Sequence, residues 1–321
     1  MSLHHREGAA SAAPSAPKTT WLTARRRESL IHVLFLVPAL LYVSAFYAYP
    51  IILNVAMSVE HYTLRTYFTG EAPFIGLDNF KHLVANPDFG LAISNTFIFT
   101  GGSLFFQFIL GLMIALLFQR RFPLNTTLRA LILVPWLAPV LVSGAVWVRL
   151  LDQDAGIVNF ALRTLGLVPS NVAWLTDPHL SLLSVLLANI WIGIPFDMVI
   201  LYGGLQAIPV VLYEAASIDG AGPWQRFRHV TWPLLRPVST VVLLLGLVYT
   251  IRVFDVIMSI TRGGPANTSQ TLNTLAYSLS FGGQLDFGVG AAAGDVLIVV
   301  VLLFGLVYLR YAYSELRTAA A

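Results

Sequence analysis

Four ionisable side chains lie inside long apolar stretches of this chain, where a charge is costly to place. They are Asp197, Arg252, Asp255 and Asp295. Ionisable residues inside membrane spans typically form ion pairs, relays or substrate contacts. With a helical rise of about 1.5 Å per residue, Arg252 and Asp295 reach similar depths in the membrane. The sequence therefore predicts that Arg252 pairs with either Asp255 or Asp295, and the two possibilities stay open.

Two other charged positions allow a structural interpretation. Arg149 precedes Asp152 by three residues, a spacing that predicts a local ion pair at the outer edge of a span. Asp197 follows Pro195, and a proline kink exposes backbone carbonyls to a cavity. Asp197 is therefore either part of a gate or pathway, or the structural partner of a loop arginine.

The residues needed for catalysis do not occur at useful spacings. The chain has no Gly-x-x-x-x-Gly-Lys-Ser/Thr loop to hold nucleotide phosphates, and it has no cysteine. Its 7 histidines are scattered and form no metal-ligand pattern with carboxylates. These features predict a protein that is not an enzyme and binds no metal or cofactor itself.

Composition indicates the elements that position these side chains. The 321 residues are 57% hydrophobic and 11% charged, whereas soluble domains carry about 25% charged residues. A membrane-spanning helix needs about 20 mostly apolar residues. We therefore predict an all-α, polytopic membrane protein with a transmembrane domain at 30–315 and six transmembrane helices, at about 30–57, 91–118, 130–150, 180–205, 238–260 and 288–312.

The distribution of basic residues predicts the orientation. With the amino terminus inside, 13 lysines and arginines fall in cytoplasmic segments and 4 in external loops. An excess of basic residues marks the cytoplasmic side. We expect both termini in the cytoplasm, with residues 1–29 forming a disordered cytoplasmic tail.

The loop at 209–236 is a polar stretch between two long apolar runs. Pro209 is suited to the start of a helix, and a short helix is predicted from Val210 to Asp219. Gly220 and Gly222 permit the turn that ends it. A second helix is predicted from Pro223 to a stop at Pro233 and Pro237, with one face formed by Trp224, Phe227 and Arg228.

Taken on physical grounds alone, this loop either lies on lipid headgroups or docks on another protein. Its sequence resembles the signature loop of binding-protein-dependent ABC transporter permeases: Glu-Ala-Ala, three residues, Gly, nine residues, then Ile-x-Leu-Pro. Glu214, Ala215, Ala216 and Gly220 match, and Pro233 closes the motif. Val230 and Trp232 replace Ile and Leu with other apolar residues.

Further segments resemble the sugar-importer class of these permeases, the maltose-type family. They are Phe74-Ile-Gly-Leu-Asp-Asn-Phe80, Pro195-Phe196, Gly204-Leu-Gln-Ala-Ile-Pro209, and Phe254-Asp255 followed by Thr261-Arg-Gly-Gly-Pro265. The resemblance implies that the loop between spans four and five is a cytoplasmic coupling helix that seats in an ATPase subunit. The coupling residues would be Glu214, Ala215, Ala216, Asp219, Gly220, Trp224, Phe227, Arg228 and Pro233.

The resemblance also implies a location in a bacterial inner membrane, partners that supply the energy, and a substrate class. The partners would be a second permease subunit, two copies of an ABC ATPase that bind ATP and Mg, an extracytoplasmic binding protein and membrane lipid, with no nucleic acid. The cargo would be a di- or oligosaccharide, with glycerol-3-phosphate as the rival. A self-powered secondary transporter or channel is the alternative of another class. Candidate pathway residues are Asn189, Trp191, Asp197, Tyr249, Arg252, Asp255 and Asp295, and Tyr202 is a further aromatic candidate. Trp and Tyr also serve as interfacial anchors.

Overall fold

A computed structural model describes residues 34–120, 122–283 and 285–320. The tail predicted at residues 1–29 lies outside the described residues. The chain divides into two units, Met1–Leu53 and Asn54–Ala321. Within the described ranges the regular structure is helical, and the only extended pairings are two isolated bridges, Glu60–Phe74 and Thr63–Asp286. This agrees with the predicted all-α class.

The helices follow the apolar runs of the sequence. We number them α1 (Leu34–Ser58), α2 (Leu64–Thr69), α3 (Asp78–Ala85), α4 (Pro87–Gln119), α5 (Asn125–Ile132), α6 (Val134–Leu137), α7 (Val140–Leu150), α8 (Ile157–Thr164), α9 (Ser181–Gln206), α10 (Val210–Ile218), α11 (Pro223–Arg226), α12 (Trp232–Thr250), α13 (Asp255–Ile260), α14 (Leu272–Phe281) and α15 (Phe287–Ala320).

The described residues contain five helices long and apolar enough to cross a membrane, or six if one bent pair counts as a single span. The bent pair is 125–137 with 140–150, which meet at 98°. The bend lies at Pro139, which has no N–H to continue a helical ladder, and Ala138 before it is extended. The predicted third span is therefore sharply bent.

The fifth span also differs from the continuous helix predicted at about 238–260. Helix α12 ends at Thr250, and α13 begins only at Asp255. The carbonyl of Arg252, inside this break, accepts a hydrogen bond of 2.7 Å from Nδ2 of Asn273. Irregular backbone at membrane depth is tolerated where its polar groups are satisfied in this way.

Within the described part of the second unit, helices α4 and α9 share the most extensive helix–helix contact. A Cβ added at Gly111 would lie 2.8 Å from Cβ of Asp197, so the glycine allows the two backbones to approach. Two buried hydrogen bonds join the helices: Gln107 Nε2 donates to the Asn189 carbonyl at 2.8 Å, and Asn189 Nδ2 donates to Ser103 Oγ at 2.9 Å. Hydrogen bonds of this kind between membrane helices fix the register of the two helices and contribute modestly to the free energy of their association.

Candidate functional site

The break between α12 and α13 opens onto a cavity of about 480 Å³. We call it the central cavity. Its walls come from α4, α6, α7, α9 and the two halves of the fifth span, so six helices meet there. The side chains that form the polar and aromatic parts of its lining are Gln107, Trp136, Asn189, Phe196, Asp197, Tyr249, Thr250, Arg252, Phe254 and Asp255.

Aromatic rings form one wall of the central cavity. The rings of Trp136 and Phe196 have their centroids 5.9 Å apart, and those of Phe196 and Tyr249 are 5.8 Å apart in an edge-to-face arrangement. The guanidinium of Arg252 lies over the Tyr249 ring, 5.4 Å from its centroid. The wall therefore offers apolar ring surface with one exposed cation at its end.

Five of the seven predicted pathway residues line the central cavity, namely Asn189, Asp197, Tyr249, Arg252 and Asp255. The other two, Trp191 and Asp295, do not. Trp191 packs edge-to-face against Trp147, with ring centroids 6.1 Å apart. The carboxylate of Asp295 accepts a hydrogen bond of 2.7 Å from Nδ2 of Asn54.

The predicted ion pairs are wrong. In the part of the chain that the structure describes, the one salt bridge joins Lys81 to Asp78. Arg252 therefore pairs with neither Asp255 nor Asp295, and its guanidinium lies over the ring of Tyr249, three residues earlier in the chain. Among the described residues, no loop arginine forms an ion pair with Asp197 either. It is 3% exposed and lies beside Gly111 where α4 and α9 touch.

Asp152 caps a turn instead of pairing with Arg149. Its Oδ1 accepts hydrogen bonds from the backbone N–H groups of Ala155, at 2.8 Å, and Asp154, at 3.1 Å. These two bonds, in that order, hold the pKa of the Asp152 carboxyl below its ordinary value. A short polar side chain after a helix competes well for local backbone donors.

Three important residues of the central cavity were missed as candidates. Gln107 is a buried polar residue within an otherwise apolar run, and that anomaly was available as a signal. Trp136 and Phe196 each lie one residue after a proline, Pro135 and Pro195, but an aromatic residue in a span gives no sign of which way it faces. Their approach to Tyr249 depends on tertiary packing.

The loop at 209–236 begins with α10, close to the helix predicted from Val210 to Asp219. Its end is closed by Gly220, whose φ of +77° is in the left-handed region that glycine adopts without strain. The N–H of Ala221 donates to the carbonyl of Ala216 at 2.9 Å. This bond is the wide closing bond of a Schellman turn, and it fixes the direction in which the chain leaves α10.

The second helix of the loop does not stop at Pro233 and Pro237, so that prediction is wrong. The chain stays helical from Pro223 to Thr250, with a wide π turn at Phe227–Thr231. In that turn the N–H of Trp232 reaches back five residues to the Phe227 carbonyl. The wider turn lets Pro233 sit in the first turn of α12, where its missing N–H costs little.

Side-chain bonds brace α10 against this second helix. Tyr213 Oη and Thr231 Oγ1 lie 3.0 Å apart, and Arg226 donates to Ser217 Oγ at 3.1 Å. The rings of Trp224 and Phe227 stack with centroids 5.6 Å apart, as their spacing predicted. The loop is thus an ordered helix–turn–helix segment. Its exposed side chains include Glu214, Ala215, Ile218, Asp219, Trp224 and Arg228.

The described ranges contain no group of three or more His, Asp or Glu side chains placed to hold a metal ion. The geometry is suited to binding. The central cavity offers aromatic and polar groups in the membrane-spanning region, and the 209–236 loop offers exposed apolar and charged groups.

Comparison with known proteins places these features in a context. Residues 107–315, a stretch that includes both the central cavity and the 209–236 loop, match the family described as "Binding-protein-dependent transport system inner membrane component". The trehalose/maltose transport system permease protein MalF of Thermococcus litoralis is 35% identical over 284 residues, which cover 88% of this chain and 94% of that protein.

Solved structures agree with the sequence match. A bacterial ABC transporter involved in the import of the acidic polysaccharide alginate contains a chain that is 25% identical, with a TM-score of 0.77 over 91% of this chain and 98% of that one. A second structure of an alginate ABC transporter, in complex with an alginate pentasaccharide-bound periplasmic protein, gives 25% identity and a TM-score of 0.75, covering 90% of this chain and 95% of that one.

Proposed function

The chain belongs to the inner membrane components of binding-protein-dependent transport systems, and we propose that it carries a di- or oligosaccharide across the membrane. As a permease subunit of an ABC importer it is not an enzyme. The family membership argues against the alternative of a self-powered secondary transporter or channel. The central cavity would be its half of the translocation pathway.

The aromatic wall of the central cavity is the observation that carries this proposal. Sugars present apolar C–H faces that pack on aromatic rings, and hydroxyls that need hydrogen-bond partners. Trp136, Phe196 and Tyr249 supply the rings, and Arg252 and Asp255 supply exposed polar groups beside them. A cavity of a few hundred Å³ with this mixture is typical of sites for small molecules. The names of the similar permeases, for trehalose/maltose and for alginate, support the same class.

Glycerol-3-phosphate stays as a second candidate because of Arg252. Its guanidinium is exposed to the central cavity and forms no ion pair within the described residues, so it would attract an anion. The exposed carboxyl group of Asp255 belongs to the same cavity and would oppose a phosphate. We therefore prefer the carbohydrate.

The 209–236 loop would be the site at which an ABC ATPase drives the transporter. Glu214 and Ala215 are exposed on α10, and Trp224 is 69% exposed on the helix braced against it. In our proposal these groups seat in a cleft of the ATPase, and the two ATPase copies hold ATP and Mg. ATP binding closes the ATPase pair, and the rigid loop transmits the movement to α9 and α12. The central cavity then opens alternately to the two sides.

The remaining partners follow from the same mechanism. A second permease subunit of the same family would complete the pathway, and an extracytoplasmic binding protein would deliver the substrate. We propose that both termini and the 209–236 loop face the cytoplasm, since 13 of the 17 loop and tail lysines and arginines lie on that side. The exposed apolar side chains of α1, such as Phe35 and Leu41, would meet lipid or the second permease.

The proposal is tested with the complete transporter in proteoliposomes, at saturating sugar-loaded binding protein. Phe196→Ala and Tyr249→Ala remove parts of the aromatic wall, and Trp191→Ala is the matched control because Trp191 packs outside the cavity. We expect a loss of about 1.4 kcal/mol, hence about tenfold slower sugar uptake, in each wall variant. Uptake that is equally fast in all three variants would contradict the pathway assignment.

A further inference from the structure

A second cavity, of about 730 Å³, lies where α10 leaves the membrane-spanning region. We call it the basic cavity. It is formed by the end of α4, the start of α5, the end of α9 and the start of α10, and it shares no lining residue with the central cavity. Two arginines line it, Arg120 and Arg129, and the described residues of its lining include no carboxylate.

The two arginines are positioned in different ways. The guanidinium of Arg129 lies over the ring of Tyr202, 4.7 Å from the ring centroid, which orients its plane and limits its freedom. Arg120 follows the last residue of α4, where its carbonyl accepts a 2.7 Å hydrogen bond from Asn125 Nδ2. Neither guanidinium forms an ion pair within the described ranges. Two arginine cations that face one cavity without a counter-charge repel each other, and a bound anion would offset this repulsion.

Backbone donors add to the positive potential. Thr126 in the first turn of α5 and Val210 in the first turn of α10 both line the basic cavity. Neither helix has a side-chain cap, so the N–H groups of these first turns lack the usual side-chain acceptor. Helix amino termini carry a partial positive charge and favour anions. The arginines and the two helix starts are independent features of one cavity, and they favour the same kind of ligand.

We propose that the basic cavity binds a phosphate ester, held by the guanidinium groups of Arg120 and Arg129. Arginine forks bind phosphate oxygens through paired, charge-assisted hydrogen bonds. The source of the phosphate is either the headgroup of an anionic phospholipid or a soluble phosphorylated metabolite. Basic cavities between membrane helices commonly hold lipid headgroups. An occupant would touch Val210 and Tyr213 of α10 directly, which connects the site to the 209–236 loop.

The test uses the complete transporter and two probes. In one arm, the transporter in phosphatidylcholine nanodiscs is titrated with phosphatidylglycerol, and bound lipid is measured by native mass spectrometry. In the other, inorganic phosphate is titrated by calorimetry into the transporter in neutral detergent. The test variant is Arg120→Gln/Arg129→Gln. Arg236→Gln is the control, because Arg236 is an exposed arginine of α12 that does not line the basic cavity.

We expect at least one probe to bind the unmodified transporter, and the double variant to bind it about tenfold or more weakly, with Arg236→Gln unchanged. Binding of lipid alone or phosphate alone supports the proposal and identifies the source. If the double variant does not fold, Arg120→Lys/Arg129→Lys keeps the charges and should retain binding. The proposal is overturned if neither probe binds, or if the double variant and the control bind equally well. Sugar uptake is measured in parallel, so a failure of the carbohydrate proposal is recognised separately.

Discussion

Gly220 allows a quantitative test of how the 209–236 loop is built. Its φ of +77° would strain an alanine by about 1–2 kcal/mol, because Cβ approaches the following carbonyl oxygen in the left-handed region. The turn is closed by the Ala221 N–H bond to the Ala216 carbonyl, and such a bond contributes about 1 kcal/mol net. The strain of Gly220→Ala therefore equals or exceeds the bond that holds the turn.

Gly220→Asn is a matched control. No heavy atom lies within 4 Å of an ideal Cβ at this position, so neither substitution causes a steric clash. Asparagine tolerates the left-handed conformation much better than alanine. Only the backbone preference therefore distinguishes the two variants. A penalty of one to two kcal/mol corresponds to a factor of about 5–30 in the population of the docking-competent loop.

The assay is stimulation of ATP hydrolysis in the reconstituted transporter by sugar-loaded binding protein, with membrane levels of each variant measured beforehand. We expect the Gly220→Ala transporter to need about 5–30 times more ATPase subunit for half-maximal stimulation of ATP hydrolysis. The Gly220→Asn transporter should need about the same amount as the unmodified protein. Equal stimulation in both variants would refute the reasoning that the left-handed turn positions the loop for coupling.

Three further predictions concern other parts of the chain. Glu214→Lys reverses an exposed charge on α10 and should leave membrane levels unchanged while lowering ATPase stimulation; normal stimulation would remove Glu214 from the interface. Gly111→Ala should destabilise the α4–α9 contact by about 1–3 kcal/mol, seen as a lower unfolding temperature in detergent, whereas Gly101→Ala, with open space around it, should not. Asp152→Ala should increase proteolysis of the turn at 152–155, and Asp152→Asn should do so less. Since hydrogen bonds lower the Asp152 pKa, this protection is present above the ordinary carboxyl pKa and lost as pH falls through the lowered value.

The membrane helices were largely predictable because lipid excludes charge from whole segments. Helix α9 runs from Ser181 to Gln206, and the apolar run predicted about 180–205. Its partner α4 likewise extends only a few residues beyond the predicted run at 91–118. The turn at Gly220 in the 209–236 loop could also be predicted, because glycine is the residue that adopts a positive φ without strain.

The interior of the fifth span was not predictable from the local sequence. No proline or glycine lies between Thr250 and Asp255, and the exposed carbonyl of Arg252 is satisfied by Asn273, 21 residues away. The predicted pairing of Arg252 with Asp255 or Asp295 failed for the same reason, since it assumed the depth and direction of a straight helix. The guanidinium of Arg252 lies over the ring of Tyr249, and both residues line the central cavity.

The central claim is that this permease passes a carbohydrate using energy from a partner ATPase. The most direct measurement is sugar uptake by proteoliposomes that contain the complete transporter, with ATP inside and loaded binding protein outside. The ATPase is compared with a variant in which the lysine of its phosphate-binding loop is replaced. We predict that uptake depends on ATP and disappears in the variant. Uptake that persists with the inactive ATPase would contradict the account.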